Sequence, residues 1–182
     1  MKPTSRSLCL PTLALCAALL AGCAATVTQP GAPAARMEAP AAPAKQVIAV
    51  LSSTAALQAH EDWAAFREEW QTAMSAATAQ ARMVFTLAAD AGLASAEPAT
   101  LLRIKVKDFR YVSQAKRFAV GVFSGNASMD VEVEFVELPS GRVFGTRNYA
   151  LTSSAWQGVF AAMTPKQVQA TADQIVAELK RP

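Results

Sequence analysis

The stretch MDVEVEFVELPSGRVFGTRNYAL, residues Met129–Leu151, decides the fold. Its first half alternates apolar and acidic residues, which is the two-residue period of a strand that turns one face toward a core. Leu138–Gly141 reads Leu-Pro-Ser-Gly, a composition typical of a tight turn. Arg142–Leu151 then returns as a second strand, so the stretch predicts an antiparallel β-hairpin.

A third strand is predicted upstream, over Leu101–Phe109, where apolar residues alternate with basic ones. If it pairs with Met129–Val136, basic and acidic side chains meet on one open sheet face: Arg103, Lys105 and Lys107 opposite Asp130, Glu132 and Glu134. Cross-strand pairs of opposite charge contribute roughly 0.2–1 kcal/mol each, so we expect ion pairing here. The alternative is that the three carboxylates bind a cation, and this alternative is favoured if the two strands are not neighbours.

The remaining elements are read from hydrophobic periodicity. The apolar run Gln46–Leu51 predicts a short strand. A long helix is predicted over His60–Ala89, where apolar residues recur every three or four positions. The alternative is a break near Ala79, with Arg82–Leu87 as a strand. The last helix begins at Thr164, an N-cap followed by proline at the first helical position. Its apolar stripe is Val168, Ala172, Ile175, Val176 and Leu179.

Together these elements predict a single α+β domain over residues 46–182. It has one mainly antiparallel sheet of about four strands packed by two helices, in the order β-α-β-β-β-α. The length of 182 residues favours one compact domain. Alanine occupies 40 positions, so the hydrophobic share of 52% overstates the apolar surface that the core can bury.

The N-terminus has the layout of a bacterial export signal. Its first seven residues carry two positive charges, and Leu8–Leu20 is almost wholly apolar. Thirteen helical residues span about 20 Å, short of a hydrocarbon core of about 30 Å, so an uncleaved membrane helix is the weaker alternative. Leu20–Cys23 reads Leu-Ala-Gly-Cys and resembles the lipobox of bacterial lipoproteins. This resemblance implies removal of residues 1–22 by cleavage between Gly22 and Cys23, with lipid attached to the Cys23 thiol.

Residues 23–45 are interpreted as the lipidated cysteine and a tether. Residues 24–45 hold four prolines, one glycine and no aromatic residue, so they cannot bury enough surface to offset the cost of ordering the chain. Such a composition favours an extended spacer, although a linker of no tuned length is equally consistent with it. Ala24 follows the lipidated cysteine, and the lipoprotein resemblance implies that alanine there permits transfer to the outer membrane. We therefore expect anchoring in the periplasmic leaflet of the outer membrane.

Charge and cysteine content exclude several classes of protein. The formal net charge of +3 falls to +1 once Lys2 and Arg6 leave with the signal, so no basic stripe points to a nucleic acid. Cys9 and Cys16 leave with it, and no cysteine follows Cys23. The mature domain therefore has no disulfide and no thiol for zinc, and the partner that the sequence predicts directly is the membrane, through the lipid on Cys23.

No catalytic constellation is visible, so we expect a protein that is not an enzyme and uses no cofactor or metal. His60 is the single histidine and is interpreted as a surface residue. Trp63 and Trp70 lie seven positions apart on one helical stripe, which indicates core packing. Trp156, close to Phe160 in the segment before the last helix, is a candidate contact for a partner. The alternative is a hydrophobic plug beneath that helix.

A loose pattern of glycines and alternating residues runs through the second half of the chain. It comprises Val106–Phe109, Arg117–Gly121, Gly125–Ala127, Val131–Val133 and Ser140–Val143, followed by Phe160 and the last helix. On these residues the chain resembles an uncharacterised family of bacterial lipoprotein domains. That family is similar in architecture to the α+β domain of periplasmic lipoproteins involved in curli secretion. The resemblance implies a fold and a location, and it supplies no catalytic residues.

These observations lead to a functional hypothesis. The chain is expected to be a non-enzymatic lipoprotein whose domain binds another component of the cell envelope or self-associates. The alternative is a periplasmic binder of a small apolar or lipid ligand, held between the sheet and the helices.

Overall fold

The computed structural model describes residues 37–38, 40, 45–90, 97–111, 127–152 and 163–180. Five strands and three helices lie in this part of the chain. In chain order they are β1 (Gln46–Ser52), α1 (Ala55–Gln58), α2 (Trp63–Gln80), β2 (Val84–Ala88), β3 (Ala99–Arg110), β4 (Ser128–Leu138), β5 (Arg142–Thr152) and α3 (Met163–Leu179).

The strands form one mixed sheet in the order β2-β1-β3-β4-β5. β1 runs parallel to both β2 and β3, whereas β3, β4 and β5 pair antiparallel. The general α+β class is as predicted. The expectation of about four mainly antiparallel strands and two helices is wrong, because a parallel β1–α2–β2 unit adds a strand and a short helix precedes α2.

β2 exists because the predicted long helix ends early. α2 stops at Gln80, and Arg82 takes a left-handed φ of 58°, which reverses the chain. The Met83 N–H donates to the Thr78 carbonyl at 2.9 Å, and the Val84 N–H donates to the Lys45 carbonyl at 2.8 Å, beside β1. The sequence then reads Val-Phe-Thr-Leu, a run rich in β-branched and aromatic residues. The alternative of a strand near residues 82–87 is therefore confirmed, and one helix over His60–Ala89 is wrong.

The antiparallel half of the sheet follows the prediction closely. β4 and β5 are joined by a tight turn in which Gly141 takes a φ of 73°, a conformation that glycine adopts without strain. α3 begins at Met163, so Thr164 lies inside its first turn rather than at the N-cap. The predicted apolar stripe of α3 is confirmed, with Val168, Ala172 and Ile175 fully buried.

The core lies between one sheet face and the pair α2 and α3. Its largest fully buried side chains include Trp70, Tyr149, Phe66, Phe135 and Met74. α3 also contributes Glu178, whose carboxylate lies 3.6 Å from the Arg147 guanidinium of β5, with both side chains about 95% buried. The prediction that Trp70 packs in the core is confirmed, whereas Trp63 is only partly buried against it.

The open face of the sheet carries the predicted charge ladder in part. Arg103 faces Glu134 with 3.5 Å between nitrogen and oxygen, and Lys107 reaches Glu132 at 2.9 Å. Asp130 is the exception: a register shift between Val106 and Asp108 places it opposite Asp108 instead of a basic residue. A second, smaller apolar cluster of strand residues lies apart from the main core and includes Ile48, Leu101 and Val136.

Within the ranges given above, no helix is long and apolar enough to cross a membrane.

Candidate functional site

An aromatic cluster lies at one end of the sheet, and the topology explains why it forms there. β1 and β3 are parallel, so their carboxyl ends meet at the same end of the sheet. Phe109 lies near the end of β3, while the chain leaving β1 passes through His60 into the first turns of α2, which carry Trp63 and Phe66. We call this group, together with Tyr111, the aromatic end.

Phe109 is the centre of the aromatic end. Its ring stacks on Phe66 with centroids 4.5 Å apart, and Trp63 packs beside it at 5.8 Å. His60 meets the same ring edge-on at 5.5 Å. Such pairs contribute about 0.5–1.5 kcal/mol beyond the area they bury. Phe66 and Phe109 are buried, Trp63 is half-buried and His60 is exposed, so the cluster leads from the core to the surface.

His60 is exposed, as its interpretation as a surface residue requires. Its Nδ1 accepts a hydrogen bond from the Asp62 backbone N–H at 3.2 Å. The Asp62 carboxylate lies 3.9 Å from the same nitrogen. In the described part of the chain, no group of three histidine, cysteine or acidic residues is placed to hold a metal ion.

Tyr111 and Glu69 add a polar contact beside the rings. The Tyr111 hydroxyl donates to a Glu69 carboxylate oxygen at 3.2 Å. Burial raises the pKa of Tyr111 to about 12, and the charge of Glu69 and its hydrogen bond act in the same direction. The phenol therefore stays protonated at neutral pH. Glu61, Asp62 and Glu68 lie on the same stretch of chain, so this end combines aromatic rings with carboxylates.

At the opposite end of the sheet, two residues of the predicted tether contact β5. The Glu38 N–H donates to the Phe144 carbonyl at 2.9 Å, and the Glu38 carboxylate lies 2.8 Å from the Arg142 guanidinium. The Met37 side chain packs against the main core beside Gly145. A Cβ on Gly145 would lie 2.7 Å from Met37 Cγ, so the close approach depends on glycine. We call this region, next to the β4–β5 turn, the hairpin end.

The two ends are separated by the length of the sheet. β3 runs from Ala99, which pairs with the last residue of β4, to Phe109 at the aromatic end. Ten residues at about 3.3 Å each give a separation of about 33 Å. The described chain stops at Tyr111 and Thr152, both at the aromatic end, so segments 112–126 and 153–162 begin there.

The site residues predicted from the sequence lie outside the described residues. Gly22 and Cys23 belong to the N-terminal stretch, and Trp156 and Phe160 belong to segment 153–162. Their roles stay predictions. Sequence reasoning missed Phe109 as the centre of a cluster; the signal was a pair of aromatic residues, Phe109 and Tyr111, where the alternation of β3 ends.

A groove of about 240 Å³ lies between the ends of α2 and α3. It is lined by Ala77, Ala81, Val176 and Ala177 together with the charged Asp173 and Lys180. The apolar-ligand alternative places its ligand elsewhere, between the sheet and the helices, where Trp70, Tyr149 and Phe135 are fully buried. The aromatic end is therefore the better candidate for a functional surface.

Comparison with known proteins adds likenesses of fold. No protein-family model and no curated protein matches the chain. The PelC dodecamer of Paraburkholderia phytofirmans resembles it with a TM-score of 0.48 and 16% identity, over 86% of this chain and 98% of PelC. Protein XCC0632 of Xanthomonas campestris, of family DUF330, gives a TM-score of 0.46 and 12% identity, over 84% of this chain and 91% of its own. With TM-scores below 0.5, these likenesses carry no functional property over to this chain. The resemblance to curli-secretion lipoproteins stays a prediction.

Proposed function

We propose that the chain is a non-enzymatic lipoprotein of the outer membrane that is anchored through Cys23 and binds another envelope protein with its aromatic end. In this proposal, residues 1–22 are removed and the acylated Cys23 lies in the periplasmic leaflet. Two or more acyl chains hold a protein stably in a bilayer, where one chain does so only marginally. The membrane attachment therefore needs no spanning helix.

In this proposal the tether is shorter than the sequence predicts. Because Met37 and Glu38 contact β5, we assign the tether to residues 24–36. At about 3.1 Å per residue in the polyproline form, thirteen residues reach up to about 40 Å. That reach holds the domain near the bilayer and leaves space for a partner above it.

The observation that supports this arrangement is the entry of the chain at the hairpin end. Glu38 is fixed to Phe144 and Arg142, about 33 Å from Phe109 along the sheet. A single domain that is held by its hairpin end can turn its aromatic end away from the bilayer, where a partner can reach it. Half-buried aromatic residues with nearby polar groups are typical of protein contacts, and Trp63 has this character.

Segment 153–162 supports the choice of surface. It begins after Thr152, at the aromatic end, and contains Trp156 and Phe160. Trp156 and Phe160 thus belong to a segment whose preceding residue, Thr152, lies at the same end of the sheet as Phe109. We expect the three to contribute to one contact surface.

Site-specific crosslinking in intact cells tests the proposal. A photoreactive amino acid at Ala64, exposed at the aromatic end, should capture one reproducible protein, identified by mass spectrometry. The matched position is Ser140, exposed in the turn at the hairpin end. Equal capture from both positions would contradict a partner at the aromatic end. Lipid retained through native purification, with no capture from Ala64, would favour the apolar-ligand alternative.

Two variants separate anchoring from binding. Cys23→Ser should release the chain from the membrane fraction and abolish palmitate labelling. Trp156→Ala should lower capture from Ala64 without lowering thermal stability. If Trp156→Ala lowers both equally, Trp156 is a core residue and the contact surface lies elsewhere.

A further inference from the structure

β2 is an outer strand of the sheet and has few of the features that protect a sheet edge. Its sequence, Val-Phe-Thr-Leu-Ala, contains no charge and no proline, and its pairing with β1 has no register shift. Val84 is 65% exposed, the most exposed large apolar side chain in the described part of the chain. Natural proteins protect edges with charges, prolines, bulges or covering segments, and among the described residues the protective feature found at β2 is its short length.

The other outer strand, β5, is protected in several ways. Its pairing with β4 shifts register between Phe135 and Val136, which bends the edge. Arg142 and Arg147 bring two charges, and Glu38 is hydrogen-bonded to its backbone. The contrast between the two edges indicates that β2 is left open for pairing.

We propose that two copies of this chain pair through β2, antiparallel about a twofold axis at Thr86, so that the two sheets join into one. A twofold axis places identical strands antiparallel and makes each contact occur twice. In this register Thr86 faces Thr86 of the second copy, Val84 faces Ala88, and Phe85 faces Leu87. Like residues therefore meet: apolar opposite apolar, and hydroxyl opposite hydroxyl, which is a favourable cross-strand pair.

Charges flanking β2 favour the same register. Arg82 lies two residues before the strand and Asp90 two residues after it. Antiparallel pairing centred on Thr86 brings each Arg82 to the end where Asp90 of the second copy lies. Parallel pairing in the same register would instead place Arg82 beside Arg82. Asp90 already has an interaction in its own chain, and a carboxylate accepts several further hydrogen bonds.

The contact is small, so we expect it to depend on the membrane. A five-residue strand pair buries far less than the roughly 1,200–2,000 Å² of a stable interface. In this antiparallel pair the two hairpin ends lie near the twofold axis and the two aromatic ends point in opposite directions along the joined sheet. Both tethers can therefore reach one bilayer when the strands lie along it, and the orientation proposed for a single domain does not apply to the pair. Anchoring two copies in one bilayer raises their effective concentration, which can increase pairing by about 10²-fold or more without any new contact. The expected extent of pairing therefore rests on the proposed anchoring, whereas the register of pairing does not.

Disulfide crosslinking of the full chain in isolated membranes tests the register. In an antiparallel pair, residues that face each other have Cα atoms about 4.5–5.5 Å apart, within the range that a disulfide bridges. Thr86→Cys should therefore form a covalent dimer under mild oxidation. Val84→Cys is the register control, because each copy lies about 13 Å from its counterpart. Ser140→Cys is the exposed control outside β2, and the unsubstituted chain measures any dimer through its own cysteines.

We expect the dimer fraction of Thr86→Cys to exceed both controls about tenfold, because only there do the two thiols face each other within disulfide distance in the pair. Thr86 is exposed, so Thr86→Lys should keep the fold while placing two ammonium groups opposite each other. A chain with both Val84→Cys and Ala88→Cys should form a covalent dimer, because these residues face each other in the pair. Adding Thr86→Lys to that chain should abolish the dimer. Equal crosslinking of Thr86→Cys and Ser140→Cys would overturn the inference.

The outcome is separable from that of the proposed function. If Cys23→Ser abolishes palmitate labelling and Thr86→Cys still fails to crosslink in membranes, the anchoring stands and the pairing is wrong. If labelling is absent in the unsubstituted chain, Thr86→Cys is tested in solution at high protein concentration, where a selective dimer would support pairing without anchoring.

Discussion

Gly145→Ala tests whether the chain really enters the domain at the hairpin end. The added Cβ would lie 2.7 Å from Met37 Cγ, 3.2 Å from its Cε and 3.3 Å from its Sδ. Since the nearest atom lies close to the Met37 backbone, the side chain cannot simply swing its tip away. We expect Met37 to leave its place against the core, and Glu38 to leave β5 with it.

The expected loss of stability follows from these contacts. Complete burial of a methionine contributes about 1.5–3 kcal/mol, and the partly buried Met37 contributes about 1 kcal/mol. The Glu38–Phe144 hydrogen bond contributes about 1 kcal/mol, and the exposed Glu38–Arg142 ion pair contributes less than about 1 kcal/mol. Replacing glycine by alanine inside a strand returns roughly 0.5–1 kcal/mol. Gly145→Ala should therefore lower the free energy of unfolding by about 1–2 kcal/mol.

A double-mutant cycle measured by urea denaturation of the full chain isolates the contact. With Met37→Ala, the clashing atoms are gone, so Gly145→Ala should become neutral or stabilising by about 0.5 kcal/mol. Gly141→Ala is the matched control. Gly141 has a φ of 73° and no atom within 4 Å of the added Cβ, so its cost of about 1 kcal/mol is backbone strain. That cost should be the same with and without Met37→Ala. An equal cost of Gly145→Ala in both backgrounds would refute the docking of Met37.

Three further predictions concern the core and the aromatic end. Trp70→Ala should lower the free energy of unfolding, measured by chemical denaturation, by about 3–5 kcal/mol because Trp70 is fully buried. Trp63→Ala should lower it by less and should also reduce partner capture from Ala64 in the crosslinking assay. Glu178→Ala should lower the free energy of unfolding by about 3 kcal/mol, because it leaves the buried Arg147 charge without its carboxylate. The double variant Arg147→Met with Glu178→Leu should lower it much less. Equal losses in the two variants would contradict a tightly buried pair. Burial, together with the charge and hydrogen bond of Glu69, raises the pKa of Tyr111 in the folded state from 10.0 to about 12, so the stability linked to the protonated phenol is fully present below pH 10 and is lost as pH rises toward 12. Tyr111→Phe should remove this dependence, and an ultraviolet titration in which both tyrosines ionise near pH 10 would contradict it.

The antiparallel half of the fold could be predicted from the sequence because its signals are local. The two-residue period of β3 and β4 and the glycine of the β4–β5 turn each depend on neighbours in the chain. The ion pair between Arg103 and Glu134 follows once the strands are paired. The pairing of Asp130 with Asp108 could not be predicted in this way, because the register shift between Val106 and Asp108 does not alter the alternation of apolar and charged residues.

The parallel half could not be predicted with the same certainty. The residues before β2 are rich in alanine, which fits a helix and gives little weight to a strand. What ends α2 is the left-handed Arg82 and the pairing of β2 with β1, and pairing is a tertiary contact. The Met37–Gly145 contact joins residues far apart in sequence, so an alanine- and proline-rich segment was interpreted as tether along its whole length.

The aromatic end could be predicted from the sequence only in part. Trp63, Phe66 and Trp70 follow a helical stripe, so their common orientation was predictable. Their packing on Phe109 depends on the parallel alignment of β1 and β3, which brings the end of β3 beside the start of α2. The segment that contains Trp156 begins at this same end, and the sequence alone gave no reason to connect it with Trp63.

The intact mass of the chain extracted from membranes, with mass spectrometry of its N-terminal peptide, tests the anchoring most directly. The account predicts a polypeptide that starts at Cys23 and carries fatty acyl groups there, with residues 1–22 absent. A chain that still begins at Met1, or one that starts at Cys23 with a bare thiol, would contradict an outer-membrane domain held by its hairpin end.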